Sequence, residues 1–179
     1  MKKQIFTRIL STMMLSILCA GSLLAQDSKS KDKMKNMDMP YKATYSSKFA
    51  IGDQTHSKVI LELWKDWDDN MLDRHADAFA DTVAMYFANG QMTKGKDSVI
   101  AGAKSYRGSM ASAKSTVHAL IPLRSVDMKE NWVAIWGSEE GSWKDGKKTT
   151  ISHHEVWRFN KDGKIDLMRQ YEAKVAQGQ

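Results

Sequence analysis

Hydrophobic residues recur at two different spacings along the chain. From Val59 onward they recur every three or four residues, with charged residues between them, and this spacing predicts a long amphipathic α-helix. The same spacing predicts a short second helix at residues 74–80 and a third helix at about residues 97–110. Between these two helices, residues 83–87 predict a short strand, and Asn89-Gly90 predicts a turn.

Beyond residue 110 the hydrophobic period becomes two, which is typical of strands with one buried face. Four strands are predicted, at residues 115–124, 132–143, 149–159 and 165–173, each bounded by turn residues. Helices followed by consecutive strands indicate an α+β fold, in which the helices pack on one face of an antiparallel sheet.

The turn between the second and third of these strands predicts which residues face each other. Asp145-Gly146 lies at its centre, and this dipeptide is typical of a two-residue hairpin loop. Such a loop places Trp136 opposite Glu155 and Ser138 opposite His153, all on one side of the sheet.

The last hairpin extends the same face. A four-residue loop at residues 160–163 places Met168 opposite Glu155 and Gln170 opposite His153, whereas a shift of one residue brings Arg169 beside Glu155 instead. The pattern therefore predicts a carboxyl group and an imidazole, with three large apolar side chains around them: Trp136, Trp157 and Met168.

The first 25 residues have the pattern of a secretory signal peptide. Lys2, Lys3 and Arg8 precede an apolar stretch that ends in small residues, and we expect cleavage near Ala25. The single cysteine, Cys19, lies inside this stretch, so we expect the mature chain to have no thiol. The mature protein is therefore predicted to be secreted or periplasmic, with no membrane association after cleavage.

Residues 26–50 contain many Lys, Ser, Asp and Met and few large aliphatic residues. Such a segment buries too little apolar surface to fold, so it is interpreted as a flexible linker before a domain at residues 51–179. Met34, Met37 and Met39 leave two interpretations open. Thioethers are suitable ligands for monovalent copper, but methionines in a Lys-rich tail without a nearby histidine are also explained by composition alone.

Charge is distributed unevenly along the chain. Residues 1–50 hold nine basic and three acidic residues, while residues 51–179 hold 18 of each. A domain with balanced charge lacks the basic surface that binds a phosphate backbone, so we expect no nucleic-acid partner. The sequence has no Gly-rich phosphate loop, and His75 and His118 have no partner at metal-ligand spacing. We therefore expect neither a cofactor nor a metal site.

Three segments, in this order and spacing, resemble the SnoaL-like, nuclear transport factor 2-like superfamily. They are Phe79-Ala80-Asp81, the stretch 95–100 that leads into the third helix, and the stretch 155–165 with Arg158-Phe159 and Asp162-Gly163. The resemblance covers about residues 54–173. It implies a cone-shaped, curved antiparallel sheet wrapped by three N-terminal helices, with an apolar pocket inside. It also implies a homodimer formed through the outer face of the sheet.

Ketosteroid isomerase is the nearest catalytic comparison within that superfamily. Glu155 matches its buried aspartic acid, which donates a hydrogen bond to a developing oxyanion. The position of its general base falls near Phe87, which accepts no proton, and its oxyanion tyrosine falls near Trp64. The resemblance therefore supports the fold and a carboxyl group in the pocket, but not that reaction.

The residues themselves suggest acid-base chemistry on a small carbonyl or enol substrate. A carboxyl group among aromatic side chains favours its protonated form, so Glu155 is a candidate acid, and His153 on the same face is a candidate base. The alternative is structural: Glu155 pairs with a neighbour such as Arg169, and the domain is a non-catalytic ligand-binding or interaction module. The candidate ligand-binding residues are Trp64, Tyr86, Phe87, Tyr106, Trp136, Trp157, Met168 and Gln170.

Overall fold

The computed structural model describes residues 39–174 of the chain. Within this range the helices are α1 (Gln54–Asp69) and α2 (Lys96–Gly108), with a single turn of 3-10 helix at Ala76–Ala78. The strands are β1 (Phe49–Ile51), β2 (Phe79–Tyr86), β3 (Met92–Lys94), β4 (Met110–Ser125), β5 (Asn131–Trp143), β6 (Lys148–Phe159) and β7 (Ile165–Lys174). The predicted signal peptide, Met34 and Met37 lie outside the described residues. Neither described helix has the length and apolarity needed to cross a bilayer.

Helix α1 begins and ends at residues suited to those positions. The Asp53 carboxylate accepts a hydrogen bond from the Thr55 backbone N–H at 2.8 Å, which caps the helix start. The helix ends at Asn70, whose φ of 57° is left-handed, a conformation that Asn adopts more readily than most residues. The helix therefore begins at Gln54, five residues before the apolar spacing that starts at Val59, and its last residue before the Asn70 cap is Asp69.

The second predicted helix, at residues 74–80, does not form, and this prediction is wrong. This segment forms turns and one 3-10 turn, and β2 already begins at Phe79, so the described domain has two α-helices where three were expected. Contacts with α1 explain the difference. Asp66 is 1% exposed, its Oδ2 lies 2.6 Å from His75 Nδ1, and its Oδ1 lies 3.1 Å from Arg74 Nη1. These contacts hold the segment as a tight connection against α1, overriding its helical pattern.

The seven strands form one sheet in the order β1-β4-β5-β6-β7-β2-β3. The predicted meander from β4 to β7 is antiparallel, as expected. Strand β2 pairs with β7 in parallel, so the sheet is mixed and the expectation of a purely antiparallel sheet is wrong. Strands β2 and β7 are far apart along the chain and are not joined by a tight turn. Their connection therefore does not require them to be antiparallel.

The segment before α1 belongs to the domain, although the predicted linker extended to residue 50. Strand β1 pairs with the end of β4, from Phe49 opposite Ser125 to Ile51 opposite Leu123. Further back, the Tyr45 hydroxyl donates a hydrogen bond to Glu130 at 2.5 Å. Structured chain therefore starts several residues before the predicted boundary, because backbone pairing does not require an apolar sequence pattern.

Both later hairpins have three-residue loops. Gly146 and Gly163 close them with φ values of 88° and 72°, the left-handed conformation that such loops require. Trp143 therefore pairs with Lys147 through a 2.8 Å backbone hydrogen bond, and Ile135, not Trp136, lies opposite Glu155. The predicted register between β5 and β6 is wrong by one residue, which moves Trp136 to the other face of the sheet.

The register between β6 and β7 differs from the prediction by two residues: the loop is one residue shorter than predicted, and a bulge between Arg158 and Phe159 adds the second residue. Gln170 lies opposite Glu155, and Met168 lies opposite Trp157. A shift of two residues keeps every side chain on its predicted face, because side chains alternate with a period of two. Arg169 consequently stays on the outer face, away from Glu155.

The helices pack on one face of the sheet, here called the inner face. Buried apolar side chains of β2, β5, β6 and β7 meet Ile60 of α1 and Val99 of α2. The fully or nearly fully buried members of this core are Ile60, Phe79, Val83, Met85, Val99, Val133, Ile135, Trp157, Phe159, Ile165 and Met168. One charged residue on the same face, Glu155, is as deeply buried as they are, at 7% exposed.

Candidate functional site

The Glu155 carboxylate accepts three hydrogen bonds from side chains. Oε2 accepts from the indole N–H groups of Trp64 at 2.8 Å and Trp157 at 3.1 Å. Oε1 accepts from the Gln170 amide at 3.0 Å. These donors come from α1, β6 and β7, so the carboxylate connects the first helix to two strands of the sheet. Buried charge of this kind is tolerated when hydrogen bonds replace the lost water.

Trp64 reaches Glu155 because the residue of β5 that lies beneath its ring, Gly137, has no side chain. Gly137 in β5 lies opposite His153, and a Cβ atom placed on it would lie 2.7 Å from the Trp64 ring and also meet the Thr116 carbonyl oxygen. The indole therefore lies directly against the backbone of the sheet. A glycine inside a strand commonly marks such a close approach.

His153 lies next to Glu155 on the inner face and is only 11% exposed. Its Nδ1 atom is buried and has no hydrogen-bond partner among the described residues. The nearest acid is Glu172, with Oε1 at 3.8 Å from Nδ1, and the Trp64 ring lies edge-on with centroids 6.5 Å apart. An unpaired buried nitrogen is rare in folded proteins and calls for an explanation.

A second acid, Glu139, lies on the inner face beyond Gly137. It accepts a hydrogen bond from the Trp67 indole at 2.5 Å. Burial raises the pKa of Glu139, and the Trp67 hydrogen bond and nearby His153 oppose that shift. Burial also raises the pKa of Tyr106, with a further contribution from the Glu139 charge. Perturbed groups beside aromatic rings are common at functional sites.

The raised pKa of Glu139 predicts a pH-dependent effect of Glu139→Gln. The folded chain favours protonated Glu139, so this favourable contribution is complete below the pKa of the unfolded chain, about 4.3, and is lost as pH rises through the folded value. Glutamine is neutral throughout, so the variant should melt at a higher temperature than wild type at pH 7. The difference should disappear near pH 4.

Glu140→Gln is the matched control, because Glu140 is the exposed neighbour on the other face. Thermal melts followed by circular dichroism between pH 4 and pH 8 measure both variants. A Glu139→Gln melting temperature that is lower than wild type at pH 7 would contradict the assignment.

Six of the sequence-predicted site residues come together on the inner face. They are Glu155, His153, Trp64, Trp157, Met168 and Gln170. Phe87 packs at the edge of the apolar core, and Tyr106 stacks on Trp67 of α1, with ring centroids 6.0 Å apart.

The other two predicted residues lie elsewhere. Trp136 is on the outer face, where it stacks on His154 with ring centroids 4.6 Å apart; the hairpin loop explains this correction. Tyr86 lies under the Arg169 guanidinium, 4.4 Å from the ring centroid, and so also faces outward. Neither side chain belongs to the site around Glu155.

Glu139 and Gly137 belong to the site, but the sequence did not single them out. The place of Glu139 on the face of Glu155 follows from the register between β5 and β6, but that register depends on the length of the loop that joins them. Gly137 carried a usable signal, since an isolated glycine within a strand pattern often marks a close backbone contact. Its partner across the contact, Trp64, is distant in sequence.

Two depressions, of about 240 and 290 Å³, lie on the surface away from this site. They flank the start of α2 and share Lys96 and Asp97 in their linings. Both are open and have charged residues in their linings, and neither lies beside Glu155, where the apolar pocket was expected. Across residues 39–174, no three His, Cys, Asp or Glu side chains are grouped as metal ligands would be.

No protein-family model and no curated protein matches the sequence. Solved structures do match. A nuclear transport factor 2-like protein of unknown function from Exiguobacterium sp. 255-15 is 18% identical, covering 65% of this chain and 99% of its own, with a TM-score of 0.55. A Mycobacterium tuberculosis protein in complex with estradiol-17beta-hemisuccinate is 17% identical, covering 65% and 92%, with a TM-score of 0.54.

A third match is a hypothetical protein from Catenulispora acidiphila with a ketosteroid isomerase-like fold, in complex with trimethylamine. It is 15% identical, covering 64% of this chain and 84% of its own, with a TM-score of 0.51. Identities this low establish the fold and leave the activity open. They confirm the resemblance found in the sequence: the chain has the nuclear transport factor 2-like fold.

Proposed function

We propose that this protein is an extracytoplasmic domain that binds a small, largely apolar molecule on the inner face of its sheet, beside Glu155. The observation that carries the proposal is the carboxylate of Glu155, which is buried on the apolar inner face and held by two indole N–H groups and one amide. Ligand sites commonly combine a mostly apolar lining with one or two placed polar groups. Two proteins of the same fold, described above, hold a steroid derivative and trimethylamine.

The location outside the cytoplasm rests on the N-terminal sequence. Lys2, Lys3 and Arg8 before an apolar stretch form the signal pattern, with Ala25 at the expected cleavage position. Mass spectrometry of the protein exported by a bacterial host should give a mature chain that begins at or within a few residues of Gln26. An uncleaved, cell-associated chain would contradict this part of the proposal.

Binding is tested by titrating the tryptophan fluorescence of the mature protein with small phenols and cyclic enones. Trp64 and Trp157 both contact the carboxylate, so a ligand beside Glu155 should change the emission saturably. Glu155→Gln should change the affinity. His154→Gln is the control because it alters the neighbouring residue on the other face. No response to any compound of the panel would contradict ligand binding of this class.

The finer form of the proposal is acid-base chemistry of an isomerase, lyase or cyclase type, with His153 as the proton-transfer group. Its support is the buried Nδ1 atom, which has no hydrogen-bond partner within residues 39–174 and which a bound ligand would satisfy, together with the nearby Glu172. We expect the protein to catalyse exchange of the α-hydrogens of a cyclic enone with D2O. General acid-base groups contribute about 100-fold or more to rates, so His153→Gln should remove most of this exchange. Exchange at the wild-type rate in that variant would eliminate the role.

The second candidate is a non-catalytic interaction module that forms a homodimer through the outer face of the sheet. The observation that favours it is the exposed aromatic pair Trp136 and Tyr171, 40% and 53% exposed, with His154 stacked between them. Exposed apolar patches commonly mark protein contacts. Sedimentation should show a wild-type dimer and a Trp136→Ser monomer with unchanged fold. A wild-type monomer at high concentration would contradict it.

A further inference from the structure

We infer that the ligand of the Glu155 site carries a neutral hydroxyl group that donates a hydrogen bond to Glu155 Oε1. This inference rests on the proposed ligand-binding function and specifies its chemical class: a small alcohol or phenol with an apolar body. It reverses the role expected from the sequence, in which Glu155 donates a hydrogen bond to a carbonyl or enol oxygen.

The donors around Glu155 determine its role. An indole nitrogen can only donate a hydrogen bond, so Oε2 acts as acceptor toward both Trp64 and Trp157. A carboxylate offers about four acceptor positions. Oε2 uses two of them, and Oε1 uses one for the Gln170 amide. Among residues 39–174 no other donor reaches the carboxylate, so in its ionised form one acceptor position remains on Oε1, in a group that is 7% exposed.

The charge around the carboxylate favours a further donor. Within the described residues no Lys, Arg or His forms an ion pair with Glu155. Neutral N–H groups alone stabilise it, so a fourth hydrogen bond to this acceptor is favourable. A ketone or ether oxygen in the same place would face the carboxylate oxygen with no proton between them, and buried polar atoms left unpaired are costly.

A hydroxyl fits this position better than an ammonium group. Apart from the Gln170 amide, the groups placed against Glu155 are the two indole rings and Ile135, which lies opposite it in β5. Bringing a cation into such surroundings requires its dehydration, which offsets much of its attraction to the carboxylate. A hydroxyl supplies the missing donor without that penalty, and the apolar body of the ligand replaces water at the aromatic wall.

Three compounds of matched size test the inference: cyclohexanol, cyclohexanone and cyclohexylamine. We would measure their affinities for the mature wild-type protein at pH 7 by calorimetry. Cyclohexanol should bind at least tenfold more tightly than cyclohexanone, because sites built around a hydrogen bond discriminate strongly against analogues that lack the donor. It should also bind more tightly than protonated cyclohexylamine.

Glu155→Gln provides the second arm. Its amide oxygen can still accept from the indoles, while its NH2 group now faces the ligand, so the preference for alcohol over ketone should vanish or reverse. His154→Gln should keep the wild-type preference. Equal or tighter binding of the ketone by wild type would overturn the hydroxyl assignment while leaving ligand binding intact. Tighter binding of the amine would replace it with a cationic ligand. No binding of any of the three would contradict the proposed site itself.

Discussion

Replacing Glu155 with alanine is expected to lower the free energy of unfolding by about 3–5 kcal/mol, because each buried donor left without an acceptor costs roughly 1–3 kcal/mol. Three donors lose their partner: the indoles of Trp64 and Trp157 and the Gln170 amide. Domains of this size have only about 5–15 kcal/mol of stability. Urea denaturation followed by tryptophan fluorescence measures the change.

Glu155→Gln should cost much less, since its amide oxygen can accept from both indoles. Glu172→Ala is the positional control: it is an acid on the same face, but its side chain is 36% exposed and its nearest contact is the 3.8 Å approach to His153. A loss of under 1 kcal/mol for Glu155→Ala would contradict the stabilising role of these three hydrogen bonds, of which the one from Trp64 joins α1 to the sheet.

Gly137→Ala is expected to destabilise the domain by about 3 kcal/mol, the upper part of the range for forcing extra atoms into a packed interior. The added Cβ would lie 2.7 Å from the Trp64 ring and would also meet the backbone carbonyl of Thr116, which cannot move without distorting β4. Relief requires Trp64 to move away from the sheet, which lengthens its hydrogen bond to Glu155. The variant should therefore show both lower stability in urea and altered tryptophan emission.

Gly102→Ala makes the same chemical change where nothing opposes it. Gly102 lies inside α2, and among the described residues no atom other than its chain neighbours and the adjacent helix backbone lies within 4 Å of the position of an added Cβ. Alanine is better than glycine in a helix by about 0.8–1 kcal/mol, so this variant should gain stability. If Gly137→Ala were as stable as wild type in urea, the close contact between Trp64 and Gly137 would be contradicted.

The strands from β4 to β7 were predictable because a period of two is a local property of the sequence. Each was located, although β4 begins at Met110, five residues before its predicted start. The strands β1 and β3 were not predicted, since three residues carry too little periodicity to detect. The segment at 74–80 has helical spacing, but its ion pairs with Asp66 of α1 hold it in turns, and the spacing of its own residues does not reveal those contacts.

The site was partly predictable for the same reason. Glu155, His153 and Trp157 share a face through alternation alone. The two-residue register error, one residue from the second loop and one from the bulge beside it, left Gln170 and Met168 on that face. The one-residue error at the first loop misplaced Trp136, because Gly146 extends the loop from two residues to three. The contact between Trp64 and Gly137 joins residues far apart in sequence, so no local pattern reveals it.

The most direct test of the central claim, that a ligand binds beside Glu155 on the inner face, is an NMR titration of the indole N–H signals. The six tryptophans of the chain report on both faces of the sheet. Trp132 lies opposite Arg158 and shares the outer face with Trp136. On adding cyclohexanol, the Trp64 and Trp157 signals should shift saturably, while the Trp132 and Trp136 signals stay in place. Shifts confined to the outer-face tryptophans, or no shift at saturating ligand, would contradict the claim.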